Sequence, residues 1–554
     1  MKRLKSNTYR SQYGASLIVF FLAIIAAGSV FLLVNSSTDS THTDNQNTTT
    51  ESLSRAKTAL LSFATSYYLR QTLSGTPHAG FHGHLPCPEN STSVADGRSA
   101  LNCGGAYTSA LGRLPWLSLG IEPITDSSGE CLWYALSGDF YHWPKPSMTN
   151  DDTPGKFQIF NHNGNLLTGS TPEDRVIAVV IAPGRPLTSQ NRPSATANLP
   201  CKVSRTNAEA NQYLDNYQGI NNASVDTATA DSIEQFITST GLTDNTSIND
   251  RIVSITTKEI FDSIKQNSSI YTNKIRNLGV ELSNCLITYS VDSHNSSPSS
   301  PPTSGCQTDC DAARSLCFLS ATSGPQRAAC NRARNDCRRA CPSGGGGAGG
   351  GSTTAYQLPW PSPVDLNLAD FRLNASYLDM AASDVSIQGS LGRLPWDISN
   401  SNSVTGVSII NDNTLLDFCS IPLDSESGRL WQNWKDHWFY VVGKDYQPGN
   451  TQTSTNCTLC PDYQSNTNDY AALLIFSAER NSGQLRRSND TESPNPAFMD
   501  SKYSISNYLE GSNASNYIDL DGDKSYANYS ITDTPNDMLF CIKSDMSAVT
   551  GVCP

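Results

Sequence analysis

No lysine or arginine occurs between Arg10 and Arg55 of this chain, and no charge of either sign between Ala15 and Val34. Charge is scarce throughout: Asp, Glu, Lys and Arg make up 16% of the 554 residues, and the net charge is −13. That balance argues against general nucleic-acid binding, which needs a basic surface to meet phosphate. No G-x-S-x-G, H-E-x-x-H or Walker A motif is present, so nothing in the motif content argues for an enzyme. Cysteine is absent from the first 86 residues, and all 16 cysteines follow Val34. An even count placed entirely after an apolar segment reads as disulfides in an oxidising compartment.

The uncharged segment organises the chain. Ala15–Val34, SLIVFFLAIIAAGSVFLLV after the first alanine, would form a helix of about 30 Å, long enough to cross a bilayer core. Lys2, Arg3, Lys5 and Arg10 precede it, so residues 1–13 stay in the cytoplasm and everything after Val34 is exported. A cleaved secretory signal has a shorter apolar region and a small-residue site after it, whereas Ala26-Ala27-Gly28 lies inside this run. A plain single-helix anchor is a second reading. The third rests on a short basic leader, Gly14, the small Ala15 and an unbroken apolar helix. This arrangement resembles the class III signal of type IV prepilins and pseudopilins. The resemblance implies cleavage between Gly14 and Ala15 and packing of the helix into a filament core. Most major pilins carry Glu as the fifth mature residue. Here that position is Val19, a departure shared with a few minor subunits such as the tip pseudopilin of type II secretion.

The sequence divides into a leader (1–14), a transmembrane helix (15–34), and a spacer with an amphipathic stalk helix (35–76). In the stalk, Leu53, Ala56, Leu60, Phe63, Ala64 and Tyr67 recur at three and four. A first α+β domain follows over 77–285. Its Val176–Ala182 run, bounded by Pro-Gly, reads as a buried central strand, and Asn249–Ile255 as another strand. Thr256-Thr-Lys-Glu259 reads as a capping box opening a helix. A linker (286–305), a cysteine segment (306–341), a Gly-rich linker (342–354) and a second α+β domain (355–554) complete the order.

The second domain repeats the first. Leu358-Pro-Trp-Pro361 matches Leu85-Pro-Cys-Pro88, and Ser390–Trp396 matches Ala110–Trp116 with LGRLPW identical. Trp438–Val442, Ala471–Phe476, Asn507–Gly511 and Asn536–Ile542 follow where Leu132–Leu136, 176–182, Gln212–Asp215 and Asn249–Ile255 lead. Anchors kept in one order imply an internal duplication. In the LGRLPW corner, Gly112 and Gly392 permit a backbone turn, and Trp116 and Trp396 supply a large buried plate. Arg113 and Arg393 can stack or pair with a carboxylate there. A ligand pocket lined by Arg and Trp is the alternative reading of the corner. RAKTALLSFA, LPCP, LGRLPW, LWYALSG and NDRIVSITTKEIF together resemble large prepilin-like bacterial proteins of the type IV pilus or type II secretion class. The resemblance implies an inner-membrane protein with other pilin-like subunits as partners, whose large head has a structural or adhesive role at a filament tip. A tethered binding protein never assembled into a filament, and an exported enzyme, are the rivals.

The cysteine segment spaces Cys306, Cys310 and Cys317 in mirror image to Cys330, Cys337 and Cys341. Each trio falls on one helix face, which predicts an α-hairpin stapled by 306–341, 310–337 and 317–330. Six cysteines could instead hold a metal cluster. Arg332, Arg334, Arg338 and Arg339 would form either a solvated face or a patch for an anionic surface partner. Among the other ten cysteines, proximity favours Cys87–Cys103 and Cys541–Cys553. His78, His82 and His84 could ligate zinc or copper, and Cys457-x2-Cys460 is read as structural. Asp519, Asp521 and Asp523 lie in an acidic loop that could take calcium but lacks the EF-hand pattern. No other cofactor is expected.

Overall fold

A computed structural model describes residues 40–74, 83–89, 96–105, 107–141, 148–171, 174–192, 201, 207–225, 232–239, 247–266, 268–295, 355–366, 371–381, 391–405, 414–450, 460–463, 470–480, 484, 486, 504–509, 513, 525–526 and 536–553. The leader with Gly14 and Ala15, the apolar segment, His78 and His82 lie outside these residues. So do the six-cysteine segment with its arginines, Cys457 and the Asp519–Asp523 loop. No helix among the described residues is long and apolar enough to cross a membrane.

The fold is α+β. Helix α1 (Ser40–Ser74) begins inside the stretch read as a spacer. Its polar N-terminal half is held by the body of the protein. Arg251 donates to the Gln46 carbonyl, Thr49 Oγ1 bonds Ser127 Oγ at 2.9 Å, and Ser52 Oγ donates to the Thr125 carbonyl at 2.7 Å. Further along, Leu53, Ala56, Leu60, Phe63 and Ala64 form the predicted apolar stripe and are all buried.

That stripe sits on a seven-stranded sheet. Its strands are β1 (Ala110–Arg113), β2 (Trp133–Leu136), β3 (Phe157–Asn161), β4 (Leu166–Thr168), β5 (Val176–Ala182), β8 (Glu234–Thr238) and β9 (Arg251–Thr256). The ribbon of β6 (Asn216–Tyr217) and β7 (Ile220–Asn221) stands apart. β5 is the apolar run expected at the centre. It is buried at all seven positions and pairs antiparallel with β2 on one side and β9 on the other. After β9 the predicted capping box forms: Thr256 N donates to Glu259 Oε2 at 2.9 Å and Glu259 N to Thr256 Oγ1 at 3.3 Å. It opens α2 (Thr257–Gln266), which packs beside α1.

Helix α3 (Ser268–Asn295) runs past residue 285, where the sequence reading ended the first domain. It lies not on the first sheet but on a second one. That sheet is fully antiparallel, in the order β10 (Leu391–Arg393), β11 (Trp438–Val442), β13 (Tyr470–Phe476), β15 (Met538–Lys543). β12 (Asp462–Tyr463) and β14 (Ser525–Tyr526) form a separate parallel pair. Short helices α4 (Ser399–Thr405), α5 (Leu415–Phe418) and α6 (Glu426–Trp434) fill the connections. The order β10-β11-β13-β15 reproduces β1-β2-β5-β9, and α3 stands to the second sheet as α1 does to the first. The units are thus helix-plus-sheet modules, with each helix preceding its sheet in the chain.

Four disulfides lie among the described residues. Cys87–Cys103 and Cys541–Cys553 are the pairs that proximity favoured. Cys131–Cys201 closes the first unit and Cys285–Cys419 ties α3 to the segment after α5.

A glycine lets α3 approach its sheet. A Cβ at Gly279 would stand 2.1 Å from the ring of buried Phe540. In an open helix Gly→Ala gains about 1 kcal/mol. At this contact Gly279→Ala is expected to cost about 1–3 kcal/mol through overpacking. The check is the urea midpoint: a lowered midpoint with an unchanged slope is expected, and a raised one would show that α3 does not seat on Phe540.

Candidate functional site

The LGRLPW corners are built alike. Glu89 N donates to the Arg113 carbonyl at 2.9 Å and Ser362 N to the Arg393 carbonyl at 2.8 Å, so each corner strand lies against the preceding Pro-rich segment. Gly112 and Gly392 make that possible by closeness rather than by a turn. A Cβ there would lie 2.3 Å from the Glu89 carbonyl oxygen and 2.0 Å from that of Ser362. This corrects the turn reading: both glycines lie within strands β1 and β10. Trp116 and Trp396 are only partly buried, because they lie past the strand ends; the fully buried indoles are Trp133, Trp431 and Trp438.

The arginines go inward. Arg113 Nη1 donates to the Cys131 carbonyl at 2.6 Å, and its guanidinium lies 4.1 Å over Trp133 and 4.7 Å over Tyr213. Arg393 Nε donates to the Val364 carbonyl at 2.6 Å and Nη1 to the Asp436 carbonyl, and the group lies 4.9 Å over Phe439 and 4.7 Å over Tyr508. Carbonyls and aromatic faces stabilise a buried guanidinium without leaving a ligand face. Between Glu89, Arg113, Trp116 and the Cys131–Cys201 bridge there is a cavity of about 10 Å³. That is about the room one water needs. Burial pushes the Glu89 carboxyl above its ordinary value, and the Gly97 N–H bond at 2.9 Å works against that.

A second arginine, not singled out in the sequence, completes each unit. Arg192 Nη2 donates to the Tyr213 carbonyl at 3.1 Å and to Gln190 Oε1 at 2.6 Å, and Nη1 to the Gly184 carbonyl. Arg486 repeats the set on Tyr508, Gln484 and Ala478, at 3.1, 2.8 and 2.9 Å. Each unit therefore contacts one tyrosine ring, Tyr213 or Tyr508, with two guanidiniums. Asn222 to Asp250 (2.8 Å) and Asn513 to Asp537 (2.9 Å) are a further matched pair. The sequence signal was Gln-x-Arg ahead of Tyr-Leu in both halves, too short to stand out alone.

The two units diverge where they meet. In the first, Arg192 faces Glu130 of its own unit at 3.5 Å. In the second, Arg486 Nη1 faces Asp152 of the first unit at 3.7 Å. The segment Asn150-Asp151-Asp152 enters the second unit there. Asn150 Nδ2 donates to the Asn433 carbonyl and to Asp436 Oδ1, both at 2.9 Å. Asp152 Oδ2 lies 2.9 Å from His437 Nε2, while His437 Nδ1 bonds the Ser477 carbonyl at 2.7 Å. Lys265 Nζ lies 2.6 Å from Asp151 and 3.7 Å from Glu479. Burial alone would lower the Lys265 ammonium; Asp151 and Glu479 outweigh it and hold it above its ordinary value. Phe261 meets Trp434 edge-on at 5.8 Å and closes one side. His437 and Asp152 are fully or almost fully buried, so this Ser-His-Asp proximity has no access for a substrate.

Beside the second corner, Asp379 accepts from Ser401 N at 2.6 Å and Ser401 Oγ at 2.5 Å, capping α4. Burial nonetheless raises its carboxyl to about 6. Its folded value lies above the ordinary 3.8, so folding takes up a proton. This contribution is fully present below about pH 3.8 and is lost as pH rises through about 6. Two units correspond to about 3 kcal/mol. The difference in unfolding free energy between the protein and Asp379→Asn, followed from pH 3.5 to 7, is expected to change by that order in favour of the variant as pH rises. A constant difference would show that Asp379 stays ionised.

Comparison with protein-family models, with curated proteins and with solved structures gives no match to this chain.

Proposed function

We propose that the protein is a minor pilin-like or pseudopilin-like subunit, held in a bacterial inner membrane by residues 15–34, with a two-unit head that serves a structural or adhesive role at a filament tip. The observation that carries this reading is the order of parts along α1. Helix α1 follows the apolar segment closely in the sequence, and its N-terminal half is held at one end of the first unit, by Thr125, Ser127 and Arg251. Near the other end of its buried stripe the Ala64 carbonyl accepts from Gly83 N, and Gly83 lies against Phe261. Phe261 in turn touches Trp434 of the second unit. The second unit thus stands beyond the first, away from the membrane end.

The two ends of the chain that flank residues 296–354 meet at the far end of the second unit. Ser293 Oγ, near the C-terminus of α3, donates to the Gln357 carbonyl at 3.1 Å and accepts from Gln357 N at 3.2 Å, and His294 stacks on Tyr356 at 4.2 Å. The chain therefore leaves for 296–354 and returns at one point. In this reading Arg332, Arg334, Arg338 and Arg339, which lie outside the described residues, are the groups that would meet a receptor or anionic ligand. Other pilin-like subunits would be the partners along the membrane helix.

The N-terminus decides the matter. Mass spectrometry of the membrane-extracted chain is expected to find Ala15 as the mature N-terminus when the host's prepilin peptidase is present, and an uncleaved leader when it is absent. Retention of Met1 in both strains would remove the filament reading and leave a tethered binding protein.

A further inference from the structure

We infer that Asp151, Asp152 and His437 form a binding site for one divalent transition-metal ion, of the zinc class, that staples the two units together. The inference stands apart from the filament reading, because it concerns the fold of the head alone.

The three side chains come from both units. Asp151 and Asp152 belong to the segment before β3, and His437 to the turn before β11. One carboxylate oxygen of each aspartate and a ring nitrogen of the histidine lie within 4.8 Å of one another. Metal–ligand bonds of about 2.0–2.2 Å put ligand atoms at that spacing or closer, so a modest inward turn of the carboxylates completes the set.

The histidine carries the argument. His437 has no exposed surface, and its Nδ1 is 2.7 Å from the Ser477 carbonyl, which accepts only. Nδ1 is therefore the donor to that carbonyl, and Nε2 is the ring nitrogen left for a metal. Nε2 lies 2.9 Å from Asp152 Oδ2 and makes no hydrogen bond. A buried ring nitrogen without a hydrogen bond, next to a carboxylate oxygen, offers a metal two of its ligand atoms. A ring nitrogen tied to a backbone carbonyl with the other aimed at carboxylates is how metal-binding histidines are oriented. The second carboxylate has an oxygen to spare as well. Asp151 Oδ1 is buried and makes no hydrogen bond, while Lys265 holds the residue at 2.6 Å. Arg486 Nη1 lies 3.7 Å from Asp152 Oδ2 and Lys265 Nζ 2.6 Å from Asp151 Oδ2, so both carboxylates are held in place by a cation. One imidazole with two carboxylates suits zinc and its neighbours better than calcium, which prefers oxygen alone.

The test uses the full chain in detergent, stripped with a chelator and titrated with Zn²⁺. The expected result is one tightly bound equivalent that raises Tm and is lost in both Asp151→Asn and His437→Gln. At a hundredfold excess of ion over Kd the folded state gains about a hundredfold. Asp151→Asn keeps the shape of a partly exposed side chain, so its fold is checked by circular dichroism without metal. A site at His78, His82 and His84 would survive both substitutions and would overturn the assignment. So would a Tm indifferent to Zn²⁺ and chelator, which would place a proton rather than a metal between His437 and Asp152.

Discussion

The structure depends on one packing relation used twice: an apolar helix face laid on antiparallel strands of a sheet. Leu53, Leu60 and Phe63 provide it for α1, and Ile275, Leu278, Leu282 and Leu286 for α3, all buried. Each such side chain contributes about 1.5–3 kcal/mol when taken out of water. Neither helix could hold its conformation alone, since α1 is polar at its start and α3 carries a glycine at its closest contact. Because α3 seats on the second sheet and also packs against α2 of the first unit, the units cannot separate without opening the α2–α3 contact. Cys285–Cys419 ties it down further.

The junction adds selection rather than bulk stability. Buried ion pairs recover little of their desolvation cost, but a mismatched one is expensive. Asp152 facing Arg486 and His437, with Asn150 bonded to Asp436, therefore admits one way of setting the units together. The first unit closes the same position with its own Glu130 and the Cys131–Cys201 bridge. The two units thus have similar ends, one sealed within its unit and one completed by its neighbour.

Much of this was legible in the sequence because it rests on local pattern. The stripe of α1, the apolar run of β5, the Thr256–Glu259 capping box and the LGRLPW repeat all signal through neighbours in the chain. Two things were not legible. The sequence reading ended the first domain at residue 285, inside α3, because an apolar helix face says that it packs but not on which sheet. The junction was missed because Asp152 and His437 are far apart in sequence and neither sits in a motif. The role of Gly112 and Gly392 was misread for the same reason: the carbonyl that a Cβ would strike belongs to a segment about 20 to 30 residues earlier.

The central claim is that the units are stacked end to end, with the second farther from the start of α1. Cysteine labelling would disturb the disulfides, so spin labels on unnatural amino acids at exposed Ser127, Glu479 and Val404 are suitable. Ser127 marks the near end of the first unit, Glu479 the junction, and Val404, against Gly449, the far end of the second. From Lys274 to Ser293, α3 spans about 28 Å. Pulsed electron resonance is expected to give a Ser127–Val404 distance longer than Ser127–Glu479 by an amount of that order. Equal distances would mean that the units lie side by side, and would contradict the account.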